Sequence, residues 1–308
     1  MKQDLYQKIT DKIVEHLEST NIKGWSKPWS FITNDQYNAI SGKRYRGINH
    51  IHLALVEAER GYTSNLWLTF KQATMLGCSV KKGEVSSDIV YFQQVSVPDA
   101  DVEPSEENPA PTKSFPMIKG FHVFNVDQLD GYDGVKRIGF NKDYDDVFSP
   151  IEKAEELLVT SGAVIRYVEG DRAFYTPLTD HITMPLPKQF VSSEAFYAVA
   201  LHELTHWTGH SLRLNRTFSE RSSSKSDYAF EELVAEIGSA FVCGHLGIET
   251  QTMDSHVNYL KSWLKVLKQD KKAIFKAAAL AQKASDFIIG VNYDFNTEST
   301  VKATSIAA

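Results

Sequence analysis

Cysteine is nearly absent from this sequence, and no part of it is apolar for long. Two cysteines among 308 residues, Cys78 and Cys243, exclude a disulfide-held scaffold and a zinc site built from several thiolates. No apolar run approaches the roughly 18 residues that span a bilayer. The amphipathic residues 1–17 carry acidic side chains, which is not typical of a signal peptide. These absences predict a soluble, cytoplasmic protein with no membrane partner.

Basic charge is also in short supply. The chain has 33 Lys and Arg residues against 39 Asp and Glu residues, a net charge of −6. This balance argues against a polybasic nucleic-acid coat. The charge is uneven, because residues 1–97 carry twelve basic and nine acidic side chains, +3, and the remainder carries −9. Such an asymmetry indicates two halves with different functions.

Proline is sparse, and half of it falls in one segment. Residues 98–116 hold five of the ten prolines, five acidic residues and one lysine. Because this composition buries too little apolar surface to order itself, we predict a flexible insertion between two strands of one domain. The domain boundary is expected in the Gly- and Asp-rich residues 128–149. We therefore predict a first domain over residues 1–135 and a second over residues 148–308.

Hydrophobic periodicity predicts both helices and strands. In the first half, helices are expected at 3–18, 50–60 and 69–76, and strands at 83–94 and 120–126. In the second half, a helix at 151–161 precedes strands at 163–168, 172–175 and 181–184, and helices follow at 193–208, 227–244, 255–268 and 271–289. The fold class is α+β: an N-terminal α/β domain and a mostly helical second domain with a small sheet.

Residues 202–206 are His-Glu-Leu-Thr-His, which is the spacing of a helical metal site. Positions i and i+4 lie on one face of a helix, so His202 and His206 can hold the same ion. Glu203 lies beside them and can take a proton from water at the open ligand position. The alternative is a chance pair of histidines on an amphipathic helix. Apolar residues at 196, 200, 204 and 207 put the pair at a partly buried border and favour the metal site.

A catalytic zinc site needs a third protein ligand. His210 continues the i+4 series, but it lies about 12 Å from His202 along a straight helix, too far to share the ion. The next predicted helix offers Glu232 and Glu236 at the edge of its apolar stripe. We favour Glu232 as the ligand and Glu236 as an acceptor for a ligand imidazole. Glu236 as the ligand remains the alternative.

The positions of three further residues, Tyr175, Tyr228 and Glu231, predict their surroundings or roles. Tyr175 lies in an extended segment, 171–187, expected beside the active-site helix, where an edge strand would align a peptide by backbone pairing. Together with Tyr228, it is a candidate catalytic donor to the developing oxyanion. Glu231 is expected on the solvated side of its helix.

Aromatic and basic residues alternate in the first half, as is typical of single-strand binding. Aromatic rings stack on bases while cations hold phosphates. The alternative is that the aromatic residues fill a core and the cations are ordinary surface residues, and the sequence leaves both open. The candidate DNA-binding residues are Trp25, Lys27, Trp29, Lys43, Arg44, Tyr45, Arg46, Lys81 and Lys82.

Strings in both halves resemble one known family, the ArdC antirestriction proteins. In the first half they are GWSKPW at 24–29, YNAISGKRYRGIN at 37–49 and LWLTFKQATMLG at 66–77. In the second half they are YTPLTDHITMP at 175–185, LHELTHWTGHSLRLNR at 201–216 and EELVAEIGSAF at 231–241. The family's N-terminal domain is shared with TraC-type plasmid primases, and its C-terminal domain is a zincin-like metallopeptidase domain.

The resemblance implies single-stranded DNA binding by the first domain and a metal held by His202, His206 and a glutamate of residues 231–236, with Glu203 as general base. It also implies carriage on a plasmid or phage, where the protein protects incoming DNA from host restriction. We therefore predict an antirestriction protein with a gluzincin-like zinc peptidase site. Mn²⁺ and Co²⁺ are alternative metals, and a host restriction protein or another protein is the expected substrate. The competing hypothesis is a non-proteolytic DNA-shielding protein with a structural metal.

Overall fold

The computed structural model describes residues 4–22, 29–98, 112–136, 138, 150–216, 225–248 and 257–290. They form two compact units, the first from residues 1–13 and 35–142 and the second from residues 14–34 and 143–308. Helix α1 (Leu5–Ile22) therefore contributes to both units. The break after residue 142 lies between the two predicted domains. Residues 14–34, however, group with the second unit and not with the rest of the predicted first domain.

The first unit is built on a four-stranded sheet in the order β1-β2-β5-β4. These strands are Tyr37–Asn38, Leu66–Leu68, Thr112–Asn125 and Ser87–Pro98. The first two are parallel, and the other neighbours are antiparallel. Helix α2 (Ile48–Arg60) buries Leu53 and Val56 against Trp67 and Val123 of the sheet. Their burial removes apolar surface from water and stabilises this half of the fold.

The Pro-rich insertion is shorter than predicted. Strand β4 runs to Pro98 and β5 begins at Thr112, and a continuous register joins them from Ser87 opposite Val123 to Pro98 opposite Thr112. Residues 112–116, which were expected to be loop, are therefore strand. The reason is that hairpin pairing satisfies the backbone without a core. Strand β2 pairs with β5 only at Phe124 and Asn125, so this end of the hairpin is two-stranded and each strand has a free edge that tolerates proline. Residues 99–111 lie outside the described residues.

Two short elements complete the first unit. Helix α3 (Phe70–Met75) begins with a capping box: the backbone N–H of Gln72 donates to Thr69 Oγ1 at 3.2 Å, and the backbone N–H of Thr69 donates to Gln72 Oε1 at 2.8 Å. Strands β3 (Ser79–Val80) and β6 (Leu129–Asp130) pair as a separate ribbon. The helix predicted at residues 69–76 is confirmed, with Thr69 as its cap.

In its described residues after 149, the second unit combines a three-stranded sheet with five helices. The sheet has the order β7-β9-β8, from Val164–Val168, His181–Pro185 and Phe174–Thr176. The helices are α4 (Pro150–Ser161), α5 (Ser193–Thr208), α6 (Lys225–Leu246), α7 (Val257–Gln269) and α8 (Ala273–Ile289). Each was predicted to within a few residues. The α+β fold class is confirmed.

The extended segment predicted at residues 171–187 divides into two strands with different positions. β9 is the central strand, parallel to β7 and antiparallel to β8. Of these two strands, only β8, which is three residues long, is an edge strand; the opposite edge is β7. Among the described residues, no helix is long and apolar enough to cross a bilayer.

Candidate metal centre

Helices α5 and α6 lie unusually close together, and this contact positions the site. A Cβ atom added to Gly238 of α6 would lie 2.7 Å from Thr205 Cγ2 of α5, which is closer than real Cβ contacts come. Any larger residue at position 238 would therefore force the Thr205 side chain to move. The side chain of Thr205 is fully buried, and its hydroxyl donates to the carbonyl of Leu201 at 2.8 Å. This close packing lets the glutamate carboxylates of α6 reach the histidines of α5.

The two motif histidines meet Glu232 at one point. The Nε2 atoms of His202 and His206 are 3.2 Å apart, and each lies 3.6–3.7 Å from a carboxylate oxygen of Glu232. Ligand atoms bound tetrahedrally at about 2.0–2.1 Å from zinc are themselves about 3.3 Å apart. The observed separations thus fit the donor set of one divalent metal ion, with two nitrogens and one oxygen.

All the motif side chains are buried. His202, Glu203, His206 and Glu232 each expose only 6–7% of their surface. Helix α5 starts at the Ser192 cap, whose Oγ accepts the Ala195 N–H at 3.1 Å, and Gly209 follows its last turn. His210 lies after the helix, where its Nδ1 accepts the Leu212 N–H at 3.2 Å. It takes no part in the three-residue cluster.

The second nitrogen of each histidine faces a different glutamate. Glu236 Oε1 lies 3.6 Å from His202 Nδ1, and Glu231 Oε1 lies 3.3 Å from His206 Nδ1. Glu232 alone is on the Nε2 side of both rings, so it has the position of a ligand and Glu236 that of an outer acceptor. Such outer carboxylates orient ligand imidazoles and raise their basicity.

Glu231 was expected to be solvated, and that expectation is wrong. Its side chain is only 15% exposed, and it accepts hydrogen bonds from Arg216 at 3.0 and 3.3 Å. Arg216 is itself buried, and it also donates to Thr208 Oγ1 at 2.8 Å and to the Thr205 carbonyl at 2.6 Å. A charged carboxylate can be buried here because a guanidinium neutralises it.

The electrostatics of the cluster follow from this crowding of carboxylates. Burial alone would lower the pKa of His206, but the hydrogen bond to Glu231 and the charges of Glu232 and Glu203 outweigh it and raise that pKa to about 9. Burial likewise opposes ionisation of Glu232, yet the two imidazoles lower its pKa to about 2, with help from a hydrogen bond to Tyr228. The site is therefore built to hold positive charge.

The two candidate tyrosines have different surroundings. The hydroxyl of Tyr175 donates to Asp180 Oδ1 at 2.9 Å, and Arg213 binds the same carboxylate. Burial and Asp180 raise the pKa of Tyr175. Its proton is thus directed at Asp180. Tyr228 is half exposed and its hydroxyl donates to Glu232 of the cluster. This hydroxyl therefore lies at the candidate ligands, and it can turn to an oxyanion once a metal ion engages the Glu232 carboxylate.

Sequence reasoning missed both arginines after the motif. Arg213 donates to the Trp207 carbonyl at 2.7 Å and lies over the Trp207 ring at 3.7 Å, and it connects this turn to Asp180. Arg216 supports Glu231. The sequence shows two positive charges after the histidine motif. Their partners, Glu231 for Arg216 and Asp180 for Arg213, lie 15 and 33 residues away, and only the tertiary arrangement identifies them.

The predicted DNA-binding residues do not form one exposed set. Trp25 and Lys27 lie outside the described residues. Trp29 is 3% exposed, so its predicted role as a stacking surface is wrong in this conformation: the indole fills space beside Phe31. Tyr45 is partly buried and packs against the core of the first unit, where burial raises its pKa.

The predicted cations also differ among themselves. Arg44 pairs with Asp35 at 3.0 Å, and Lys81 donates to the Asp127 carbonyl at 2.8 Å. Arg46 is partly buried. Lys43 and Lys82 are exposed, and no described carboxylate lies within ion-pair distance of either. These two keep their charge available to a ligand.

Comparison with known proteins identifies both units. Residues 3–124 match the N-terminal domain of the anti-restriction factor ArdC, and residues 152–280 match a zincin-like metallopeptidase domain. Two DNA primases TraC of Escherichia coli are 36% and 37% identical over 98% and 94% of this chain. The chain spans only 28% and 20% of the length of these primases.

Solved structures agree with this match over almost the whole chain. The metal-free crystal structure of the antirestriction protein ArdC from plasmid R388 is 39% identical, with a TM-score of 0.76, over 93% of this chain and 97% of that one. The Mn(II)-bound structure of the same protein is 38% identical, with a TM-score of 0.75, over 95% and 99%. The chain therefore belongs to the ArdC family of antirestriction proteins, with a zincin-like second domain and a donor set for a divalent metal.

Proposed function

We propose that this protein binds single-stranded DNA through its first unit and carries a zinc-dependent metallopeptidase site in its second. Both activities would serve a plasmid or phage by protecting its DNA from host restriction. The observation that carries the peptidase proposal is the meeting of His202, His206 and Glu232, with Glu203 buried next to the first histidine. Manganese and cobalt suit the same nitrogen and oxygen donors, and R388 ArdC has been crystallised with Mn(II).

Each residue of the centre has a distinct task in this proposal. His202, His206 and Glu232 hold the ion, which when bound polarises a carbonyl and makes water more acidic. Glu203 accepts the proton that water loses as it attacks the peptide carbonyl, and then delivers it to the leaving nitrogen. Tyr228 donates a hydrogen bond to the carbonyl oxygen as negative charge develops there. A host restriction protein is one candidate substrate.

The DNA-binding proposal is supported by relatives and by charge. The TraC relatives are named DNA primases and are 36% and 37% identical over 98% and 94% of this chain. The positive charge of residues 1–97 leaves exposed lysines such as Lys43 and Lys82 for phosphate contacts. Both cysteines are free thiols, which is compatible with action in the reducing cytoplasm.

Glu203→Gln tests the peptidase mechanism. The amide keeps the shape of the side chain but cannot accept a proton, so we expect cleavage to fall by at least about 100-fold while metal affinity stays unchanged. Glu194→Gln, a substitution in the first turn of the same helix, is the matched control and should cleave like wild type. Activity of the metal-loaded Glu203→Gln chain equal to wild type would contradict this mechanism.

One observation favours the second candidate function, a structural metal in a DNA-shielding protein. The cluster is almost completely buried, and structural metal sites are closed while catalytic sites keep an open position. In that case Glu203→Gln would leave antirestriction intact, and Glu232→Ala would abolish it by destabilising the second unit. A transfer assay of unmodified DNA into a restricting host, with both variants, separates the two functions.

A further inference from the structure

Phe70 is the most exposed aromatic side chain of residues 36–56 and 64–83, two basic segments of the first unit. It is 62% exposed, although it lies at the first position of α3 and not in a loose terminus. The capping box between Thr69 and Gln72 fixes the backbone on either side of it. Exposing an aromatic ring on a fixed backbone forfeits burial energy, which a ligand stacked on the ring would restore.

A pair of side-chain amides fixes a basic turn beside Phe70. Asn38 Nδ2 donates to Gln72 Oε1 at 3.2 Å, and Gln72 Nε2 donates to Asn38 Oδ1 at 3.4 Å. Asn38 Oδ1 also accepts a hydrogen bond from the backbone N–H of Ser41 at 2.9 Å, and the backbone N–H of Asn38 donates to the Lys43 carbonyl at 2.9 Å. The turn that presents Lys43 is therefore attached to the start of α3, which presents Phe70 and Lys71.

Charge along these two segments suits a polyanion. Residues 36–56 and 64–83 contain no Asp or Glu, and each segment contains three Lys or Arg residues. Lys43 and Lys71 are both exposed, and no described carboxylate lies within ion-pair distance of either. A phosphate backbone placed here would meet cations without acidic neighbours along the chain.

A second exposed aromatic surface exists on the β4–β5 hairpin but is less suitable. Tyr91 lies opposite Lys119 in the register, and Phe121 follows on the same face. The connection between these strands, residues 99–111, carries five acidic residues and no basic one. The hairpin with its connection, residues 87–125, thus carries six acidic residues against two lysines, a net negative charge that disfavours phosphates.

We infer that Phe70, Lys71 and Lys43 form the surface on which the first unit binds single-stranded DNA, with the Phe70 ring stacking on a base. This inference rests on the proposed function and specifies where its DNA-binding part is located. The ring provides affinity that tolerates any base, and the two lysines provide the salt-dependent part. Of the aromatic residues predicted from the sequence, by contrast, Trp29 is buried and Tyr45 packs against the core of the first unit.

The test compares two exposed phenylalanines in the full-length chain. Fluorescence anisotropy with a labelled oligothymidylate measures the affinity of wild type, Phe70→Ala and the matched control Phe121→Ala. We expect Phe70→Ala to weaken binding by roughly 5- to 150-fold, the value of one stacked base, and Phe121→Ala to bind like wild type. Because both rings are exposed, both variants should fold, which circular dichroism verifies.

Salt dependence provides the second arm. The double variant Lys43→Gln with Lys71→Gln should flatten the slope of log affinity against log salt by about 1.4, or about 0.7 for each lost phosphate contact. The same change at Lys113 and Lys119 of the hairpin should leave the slope unaltered. Wild-type binding that survives Phe70→Ala, or is lost in Phe121→Ala instead, overturns this inference alone. Absence of binding by wild type overturns the DNA-binding proposal with it.

Discussion

The two units place their candidate ligand-binding side chains in opposite environments. In the second unit, histidines and carboxylates lie inside, fixed between two helices that approach as closely as Gly238 and Thr205 allow. In the first unit, the side chains available to a ligand lie outside, on a turn and a short helix held by Asn38 and Gln72. A metal centre gains from burial, whereas a DNA surface requires exposure. Residue type therefore indicates which chemistry a side chain can perform, and burial determines whether a given ligand can reach that side chain.

The largest effect expected in the second unit is loss of the carboxylate ligand. Glu232→Ala should lower metal affinity by more than about 100-fold, beyond what loss of an outer partner costs, because it removes one of three ligand atoms. Glu236→Ala, four residues later on the same helix, should lower it by about 10- to 100-fold. Isothermal titration of the metal-free proteins measures both. A larger loss in Glu236→Ala would reassign the ligand to Glu236.

An intermediate effect is expected from the arginine that supports Glu231. Arg216→Gln leaves Glu231 without its charged partner and disturbs the orientation of His206, so we expect metal affinity to fall by about 10-fold. Arg213→Gln is the matched control, because Arg213 pairs with Asp180 instead. It should lower the melting temperature without changing metal affinity. Equal metal affinity in the Arg216→Gln variant would show that Glu231 has no part in orienting His206.

The smallest effect concerns pH and the metal-free protein. The pKa of His206 is raised from 6.5 to about 9, so its contribution to stability is complete below pH 6.5 and is lost as the pH rises to about 9. The pKa of Glu232 is lowered from 4.5 to about 2, so its contribution is complete above pH 4.5 and is lost as the pH falls to about 2.

Bound metal should compensate for the stability that the metal-free protein loses as the pH rises to about 9. A ligand histidine must be neutral, so metal competes with a proton at His206 and its apparent affinity rises with pH toward 9. Thermal unfolding in chelator and in zinc should therefore diverge as the pH increases from 6.5. A metal-induced shift of the melting temperature that is constant over this range would contradict the raised pKa of His206.

The same contrast explains how much the sequence could predict. The His202–His206 spacing depends only on helix geometry, which is local, so the motif, its helix and the neighbouring helices were predictable. Glu231 and Arg216 depend on how two helices pack, which no local pattern contains, and Glu231 was accordingly expected in solvent. In the first half of the sequence, aromatic composition pointed to Trp29 and Tyr45, but Trp29 is buried and Tyr45 packs against the core of the first unit. Exposed Phe70 was not predicted, because nothing in its local pattern distinguishes it.

One titration shows whether the two units carry separate functions. The affinity of metal-free Glu232→Ala for a labelled oligothymidylate should equal that of the metal-loaded wild type within about twofold, since the proposed DNA surface belongs wholly to the first unit. Circular dichroism verifies that the variant is folded at the temperature of the titration. A folded Glu232→Ala chain that binds the oligonucleotide tenfold more weakly, or not at all, would contradict the division of functions between the units.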